Sequence, residues 1–273
     1  VQVISKVDST CLEDIQNSRD HREIEIDKVG VKDITYPITV LDKEHGKQST
    51  VASVDMYVSL PHHFKGTHMS RFVEVLNEYR HGVTIKNMPS ILQGMLEKLD
   101  AVSAHLEMRF PYFMEKKAPV SGEASLMSYN CSLTGSVTEE GYDLKVGVCV
   151  PTTSVCPCSK AISDAGAHNQ RSLVTLQVRF KEFVWIEDLI RLVEKEASCE
   201  VYSLLKRPDE KYVTEKGYAN PKFVEDSVRD IASILLKDTN ITWFSVESEN
   251  FESIHNHNAY ALVEKWPEAE ARS

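Results

Sequence analysis

The chain has 273 residues, 42% hydrophobic and 26% charged, a globular composition that argues against disorder, a fibre or a membrane protein. Its 41 acidic residues against 31 Lys plus Arg give a formal net charge of −10, which argues against a general nucleic-acid binder, whose footprint is basic. No run approaches the roughly 18 apolar residues of a membrane span, and residues 1–28 lack a signal-peptide core, so a cytoplasmic protein without a membrane partner is expected.

Residues 1–28 are polar and without period, and read as an arm with little core of its own. VKDITYPITVL (31–41) reads as a strand, KEHGKQ as a turn, and Ala52, Val54, Met56, Val58 and Leu60 alternate as a half-buried strand. Phe72, Val73, Leu76 and Tyr79, then Leu92, Met95, Leu96 and Leu99, mark two amphipathic helices. Strand-like runs follow around 103–113 and 124–135. The order strand, strand, helix, helix, strand, strand then repeats. Leu144 to Val150 and Val174 to Phe180 alternate; Ile186, Leu189, Ile190 and Val193, and Val224, Val228, Ile231 and Leu235, form helical stripes; 240–248 and 257–264 close the set. Two tandem ββααββ modules, at 29–137 and 138–273, imply an α+β fold with antiparallel sheets and paired helices on one face.

Three segments left over by this pattern, 151–172, 206–220 and 249–258, read as loops that carry chemistry. Of six cysteines, Cys11, Cys131, Cys149 and Cys199 are scattered and read as small packing residues. Cys156 and Cys158 flank Pro157 in a polar segment that also holds His168. A thiolate and an imidazole suit Zn²⁺, and too few ligands for a closed finger leave an open metal site or a polar loop with incidental thiols. Pro208 is expected to stop the preceding structure and leave Asp209 and Glu210 on a loop. Pro221, with Asn220 as cap, is expected to open a helix that carries Glu225 in its early turns, where a Glu is ordinarily solvated. Glu252, His255 and His257 share a turn, a pairing of carboxylate and imidazole that suits proton transfer near neutral pH. His62, His63, Lys65, His68 and Arg71 form a basic cluster that opens a helix, and no standard nucleotide loop is present.

CPCSKAISDAGAHNQRS, RPDEKYVTE, NPKFVEDSVRD and ENFESIHNHNAYA, with VGVKDITYP at 29–37, resemble the characteristic stretches of the type IB GTP cyclohydrolases, and the resemblance spans residues 29–261. It implies the tunnelling fold, a homotetramer with active sites at subunit interfaces, and hydrolysis of GTP to 7,8-dihydroneopterin triphosphate and formate on the way to folate. By position it places one divalent metal on Cys156, His168 and Glu210, with Cys158 beside it and either thiol as the direct ligand. It makes Glu225 the guanine anchor, and Glu252 and His255, with the two thiols, the catalytic groups. Zn²⁺, Mn²⁺ and Fe²⁺ all suit such donors. For the triphosphate, His62, His63, Lys65, Arg71, Lys160 and Arg171 are candidates. The competing readings are a cyclic-phosphate-producing relative, a nitrile reductase with a Cys nucleophile and NADPH, and a non-catalytic metal-stabilised binding module.

Overall fold

The computed structural model describes residues 15–16, 18–79 and 82–267. Most of the expected N-terminal arm, including Cys11, lies outside them. Its described part runs against residues 61–67: Arg19 bridges Phe64, the Lys65 amide donates to Ser18 O, and Gln16 Nε2 donates to Thr67 O.

The first half runs β1 (Ile26–Asp42), β2 (Gly46–Leu60), α1 (Met69–Glu78), α2 (Met88–Leu99), β3 (Ala104–Lys117) and β4 (Ala124–Thr138). The expected 137/138 junction lies within the last residues of β4, just before the tight turn into β5 (Gly141–Val155). After β5 come α3 (Pro157–Ile162), β6 (Asn169–Phe180), α4 (Ile186–Lys195), β7 (Cys199–Glu200), α5 (Arg207–Ala219), α6 (Val224–Leu235), β8 (Ile241–Asn250) and β9 (Ala259–Lys265). The second half is therefore more than a plain repeat. It adds a short helix between β5 and β6, a two-residue strand, and a third long helix.

All strands pair antiparallel in one sheet of order β1-β2-β3-β4-β5-β6-β8-β9, with β7 on β5. Because side chains alternate across a strand, register decides which of them share a face. Val54, Met108, Leu133, Val146, Val178 and Phe244 stand in one cross-strand row and are all buried. The helices cover this face. Phe72, Val75 and Leu76 of α1, Ile91, Leu92 and Met95 of α2, Leu189, Ile190 and Val193 of α4, and Val228 and Ile231 of α6 join one continuous core with it. Helix α2 sits so close that a Cβ on Gly135 would lie 2.8 Å from Met88 Cγ, so only glycine fits there. Among the described residues no helix is long and apolar enough to cross a membrane.

Two of the expected loops are not loops. Residues 151–155 extend β5, 157–162 form α3, and 169–172 begin β6. RPDEKYVTEKGYA is α5, with Pro208 in its first turn, where a proline's missing N–H has no helical partner to lose. Glu210 therefore lies on a helix. Asp209 Oδ2 accepts the Lys206 amide at 2.9 Å and closes that helix start. Asn220 ends α5 instead of opening α6, whose N-cap is Phe223, while Glu225 does lie in the first turn of α6.

Candidate metal and active site

The β5–β6 ladder ends on Val155 opposite Asn169, and one step further Cys156 faces His168, with the Cys156 amide donating to His168 O at 3.1 Å. Directly opposed residues on one face hold their Cβ atoms about 4.5–5.5 Å apart, so the pairing brings the thiol and the imidazole together. Behind them on the same face come Ser154 opposite Gln170, then Thr152 opposite Ser172, which in turn faces Asn250 of β8. The buried face, apolar at Val150, Val174 and Val246, thus becomes polar toward this end of the sheet. Its polar atoms are bonded to one another: Gln170 Nε2 donates to Ser154 Oγ at 2.7 Å, and Ser172 Oγ donates to Asn250 Oδ1 at 2.7 Å.

Helix α3 closes the end of the hairpin. Cys156 is its N-cap, and the Ser159 amide points at Cys156 Sγ at 3.4 Å, a donor suited to a thiolate. Ser159 Oγ donates to Cys156 O at 3.1 Å and accepts from the His168 amide at 3.2 Å, tying both candidate ligands to one hydroxyl. The return toward His168 passes through Gly166 at φ +99°, where a side chain would be strained. Cys158 lies exposed on α3. Beyond β8, Glu252 Oε2 comes within 4.0 Å of His168 Nδ1, both side chains being largely buried. His255 and His257 stack with ring centroids 5.1 Å apart and stand exposed, sharing a face as their spacing implies.

The third expected ligand stands apart. Glu210 is exposed in the first turn of α5, and among the described residues no three His, Cys, Asp or Glu side chains are grouped to hold a metal. Its carboxylate makes no hydrogen bond or ion pair among the described residues. The neighbouring Asp209 is fully buried and accepts from Val120 N, Ser121 N and Ser121 Oγ as well as Lys206 N. Burial pushes its carboxyl up, but these four donors outweigh that and hold it well below the usual carboxylate range. This anchors the start of α5 to the β3–β4 turn. By donor chemistry the thiol, imidazole and free carboxylate fit a divalent cation, with two of the three already paired across one ladder.

Glu225 is exposed and its carboxylate is likewise without a partner among the described residues. Lys160 Nζ donates to Tyr218 O at 2.5 Å, and Arg171 is exposed on β6 beside this site. Arg71 donates to Lys98 O at 3.0 Å, and His62, His63 and Lys65 stand with it in the first half. The remaining described cysteines behave as packing residues: burial raises the thiols of Cys131, Cys149 and Cys199 above their ordinary range. Sequence reasoning missed Ser159, Gln170 and Asp209. The i, i+2 spacing of His168 and Gln170 is the one signal that shows before the fold is known.

The type I GTP cyclohydrolase FolE2 family matches residues 12–261. A GTP cyclohydrolase FolE2 of Syntrophus aciditrophicus (strain SB) is 66% identical, over 92% of this chain and 99% of its own. One from Geotalea uraniireducens (strain Rf4) is 61% identical, over 93% of each. Among solved structures, a uricase from Bacillus fastidious superposes with a TM-score of 0.56 at 9% identity, covering 93% of this chain and 96% of that one. The urate oxidase of Bacillus subtilis 168 gives 0.51 at 10% identity, covering 88% and 99%. At such low identity these two speak for the fold alone, an α+β tunnelling type with an antiparallel sheet. With the match running through the Cys156–His168 hairpin and nearly end to end in its relatives, this chain belongs to the type I GTP cyclohydrolase FolE2 family.

Proposed function

We propose that the protein is a metal-dependent enzyme that hydrolyses GTP to 7,8-dihydroneopterin triphosphate and formate, the first step of folate biosynthesis. The observation that carries this reading is the 66% identity to a GTP cyclohydrolase FolE2 across 99% of that relative's length. Cys156 and His168, opposed on the β5–β6 ladder, supply two metal ligands, and Glu210 of α5 supplies the third. When bound there, Zn²⁺, Mn²⁺ or Fe²⁺ lowers the pKa of water and so provides a nucleophile at neutral pH.

The chain's own residues do the rest. Glu225 accepts N1–H and the 2-amino group of guanine as a bidentate pair, for which its free carboxylate is suited. His255 delivers a proton to N7 as C8 is attacked, and Glu252, which lies beside His168, orients His255 or shuttles its proton. Cys158, exposed on α3 two residues from the ligand thiol, is the further candidate for a catalytic thiol. Lys160 and Arg171, on the elements that carry the pair, are the nearer candidates for the triphosphate, with His62, His63, Lys65 and Arg71 contributed from the other half of a subunit. The sheet order ends on β1 and β9, whose outer edges are suited to joining sheets of several copies into a homotetramer with shared sites.

Metal-loaded protein incubated with GTP should release formate and a fluorescent pterin, and absence of both would overturn the assignment. Glu225→Gln cannot accept at two positions. A buried mismatch of that kind costs about 1–3 kcal/mol, so kcat/KM for GTP should fall at least about tenfold with the metal still bound. Unchanged kinetics would remove Glu225 from the purine site.

A further inference from the structure

Gln170 follows His168 by two residues and is 8% exposed. Its amide spans two partners: Nε2 donates to Ser154 Oγ at 2.7 Å, and Oε1 lies 3.0 Å from His168 Nδ1. With Nε2 turned to Ser154, the amide presents its oxygen to the ring, and because an amide oxygen only accepts, this arrangement favours the tautomer with its hydrogen on Nδ1. Glu252 Oε2, 4.0 Å from the same nitrogen, adds negative charge on that edge. The amide is itself held in a buried chain. Ser172 Oγ lies 3.3 Å from Ser154 Oγ and donates to Asn250 Oδ1, and Ser154, Ser172 and Asn250 are each at most 3% exposed. In water a neutral histidine prefers its hydrogen on Nε2, so this environment works against the ring's own preference.

We propose that Gln170 is the positioning residue for the metal-binding imidazole: it selects the Nδ1–H tautomer of His168 and thereby turns the Nε2 lone pair toward the cation, while Ser154, Ser172 and Asn250 keep the amide from rotating. The inference rests on His168 being a metal ligand, as proposed above. A ligating histidine whose second nitrogen donates to a fixed acceptor has its ring orientation and tautomer set, and loss of such a partner costs roughly 10–100-fold in metal affinity.

The test uses full-length protein labelled with ¹⁵N-histidine, stripped of metal, at a pH where the ring is neutral. The His168 ring shifts should report hydrogen on Nδ1 in the parent protein and in Gln170→Glu, which keeps an acceptor. Gln170→Leu should move the ring toward the Nε2–H form. Zn²⁺ affinity, measured by chelator competition, should weaken about 10–100-fold in Gln170→Leu and stay near the parent value in Gln170→Glu. An Nε2–H tautomer in the parent protein overturns the proposal whatever the variants do, so a Leu variant that fails to fold does not rescue it. Unchanged Zn²⁺ affinity in Gln170→Leu, alongside a weakened His168→Ala, also overturns it. Unchanged affinity in His168→Ala itself would instead overturn the ligand assignment on which it rests.

Discussion

In the first half of the chain, the strand residues that face the helices stay apolar: Ala52, Val54, Met56, Val58 and Leu60 on β2, and Leu106, Met108 and Phe110 on β3. Polar atoms enter at strand ends, at Asp42 on β1 and at the far end of β3 and β4. On β3 and β4, Tyr112 and Tyr129 give their hydroxyls to Glu187 and Glu194 of α4, and Lys116 Nζ closes the group 2.6 Å from Glu194 and 3.0 Å from Glu200. Burial pushes the Glu200 carboxyl up, but Lys116 and Lys216 outweigh that and hold it below the usual range. In the second half the same face gives way to Thr152 and Ser154, Ser172 and Gln170, Ser248 and Asn250, and ends on Cys156 and His168. Both halves bury polar groups, but to different ends. The first half's cluster is closed by a largely buried lysine and phenols that bond inward, a structural use of charge. The second half's row leads outward to a thiol and an imidazole at the surface end of the ladder. Burying an unbonded hydroxyl or amide costs about 1–3 kcal/mol, and along this row Ser154, Gln170, Ser172 and Asn250 bond to one another, while Ser248 Oγ is left without a partner among the described residues.

The largest effect should come at the open end of that row. His168→Ala, or stripping the protein with a chelator, should abolish formate release while the thermal unfolding transition survives, because the core is built of apolar side chains that include no candidate ligand. Loss of the folded state on chelation would make the site structural. Next is the apolar half, where Leu92→Ala should cost about 2–5 kcal/mol in denaturant unfolding through the cavity it leaves. Metal content and kcat of the surviving folded protein should be unchanged, and a parallel loss of metal would mean the halves are not separable in this way. Ser172→Ala deprives the buried Asn250 Oδ1 of its donor and should cost about 1–3 kcal/mol. The smallest effect belongs to Ser248, fully buried with no partner for its Oγ among the described residues. Ser248→Ala should leave stability within about 0.5 kcal/mol or raise it, and a clear loss in urea melts would show that its hydroxyl is engaged.

Much of the scaffold is legible from residue order alone. The alternation from Ala52 to Leu60 and the stripes at Leu92, Met95 and Leu99, or at Val228, Ile231 and Leu235, declare strand and helix because one side of each element is buried. The same logic explains the failure at α5. Of its thirteen residues only Asp209 and Gly217 are buried, so no apolar period announces it, and Pro208 reads equally well as a stop or a start. On α4, Glu187 and Glu194 look solvated by composition; the tyrosines of β3 and β4 beneath them, with the Lys43 amide and Lys116, explain their burial.

The functional residues divide along the same line. Cys156, His168, Glu252 and His255 stand out by side-chain chemistry, whereas Glu210 and Glu225 read as ordinary solvated carboxylates and are singled out only by the resemblance of their segments to the family. Their arrangement cannot be read in either way. That Cys156 opposes His168 follows from the register of β5 on β6, and the meeting of Glu252 with His168 follows from β8 lying beside β6. Ser159, Gln170 and Asp209 have no signature of their own, since a serine, a glutamine or an aspartate acquires its role from the atom it happens to face. Local sequence carries periodicity and side-chain chemistry, both short-range properties. Which polar groups meet across strands far apart in the chain is settled only when long-range pairing sets the register and burial makes every unpaired donor costly.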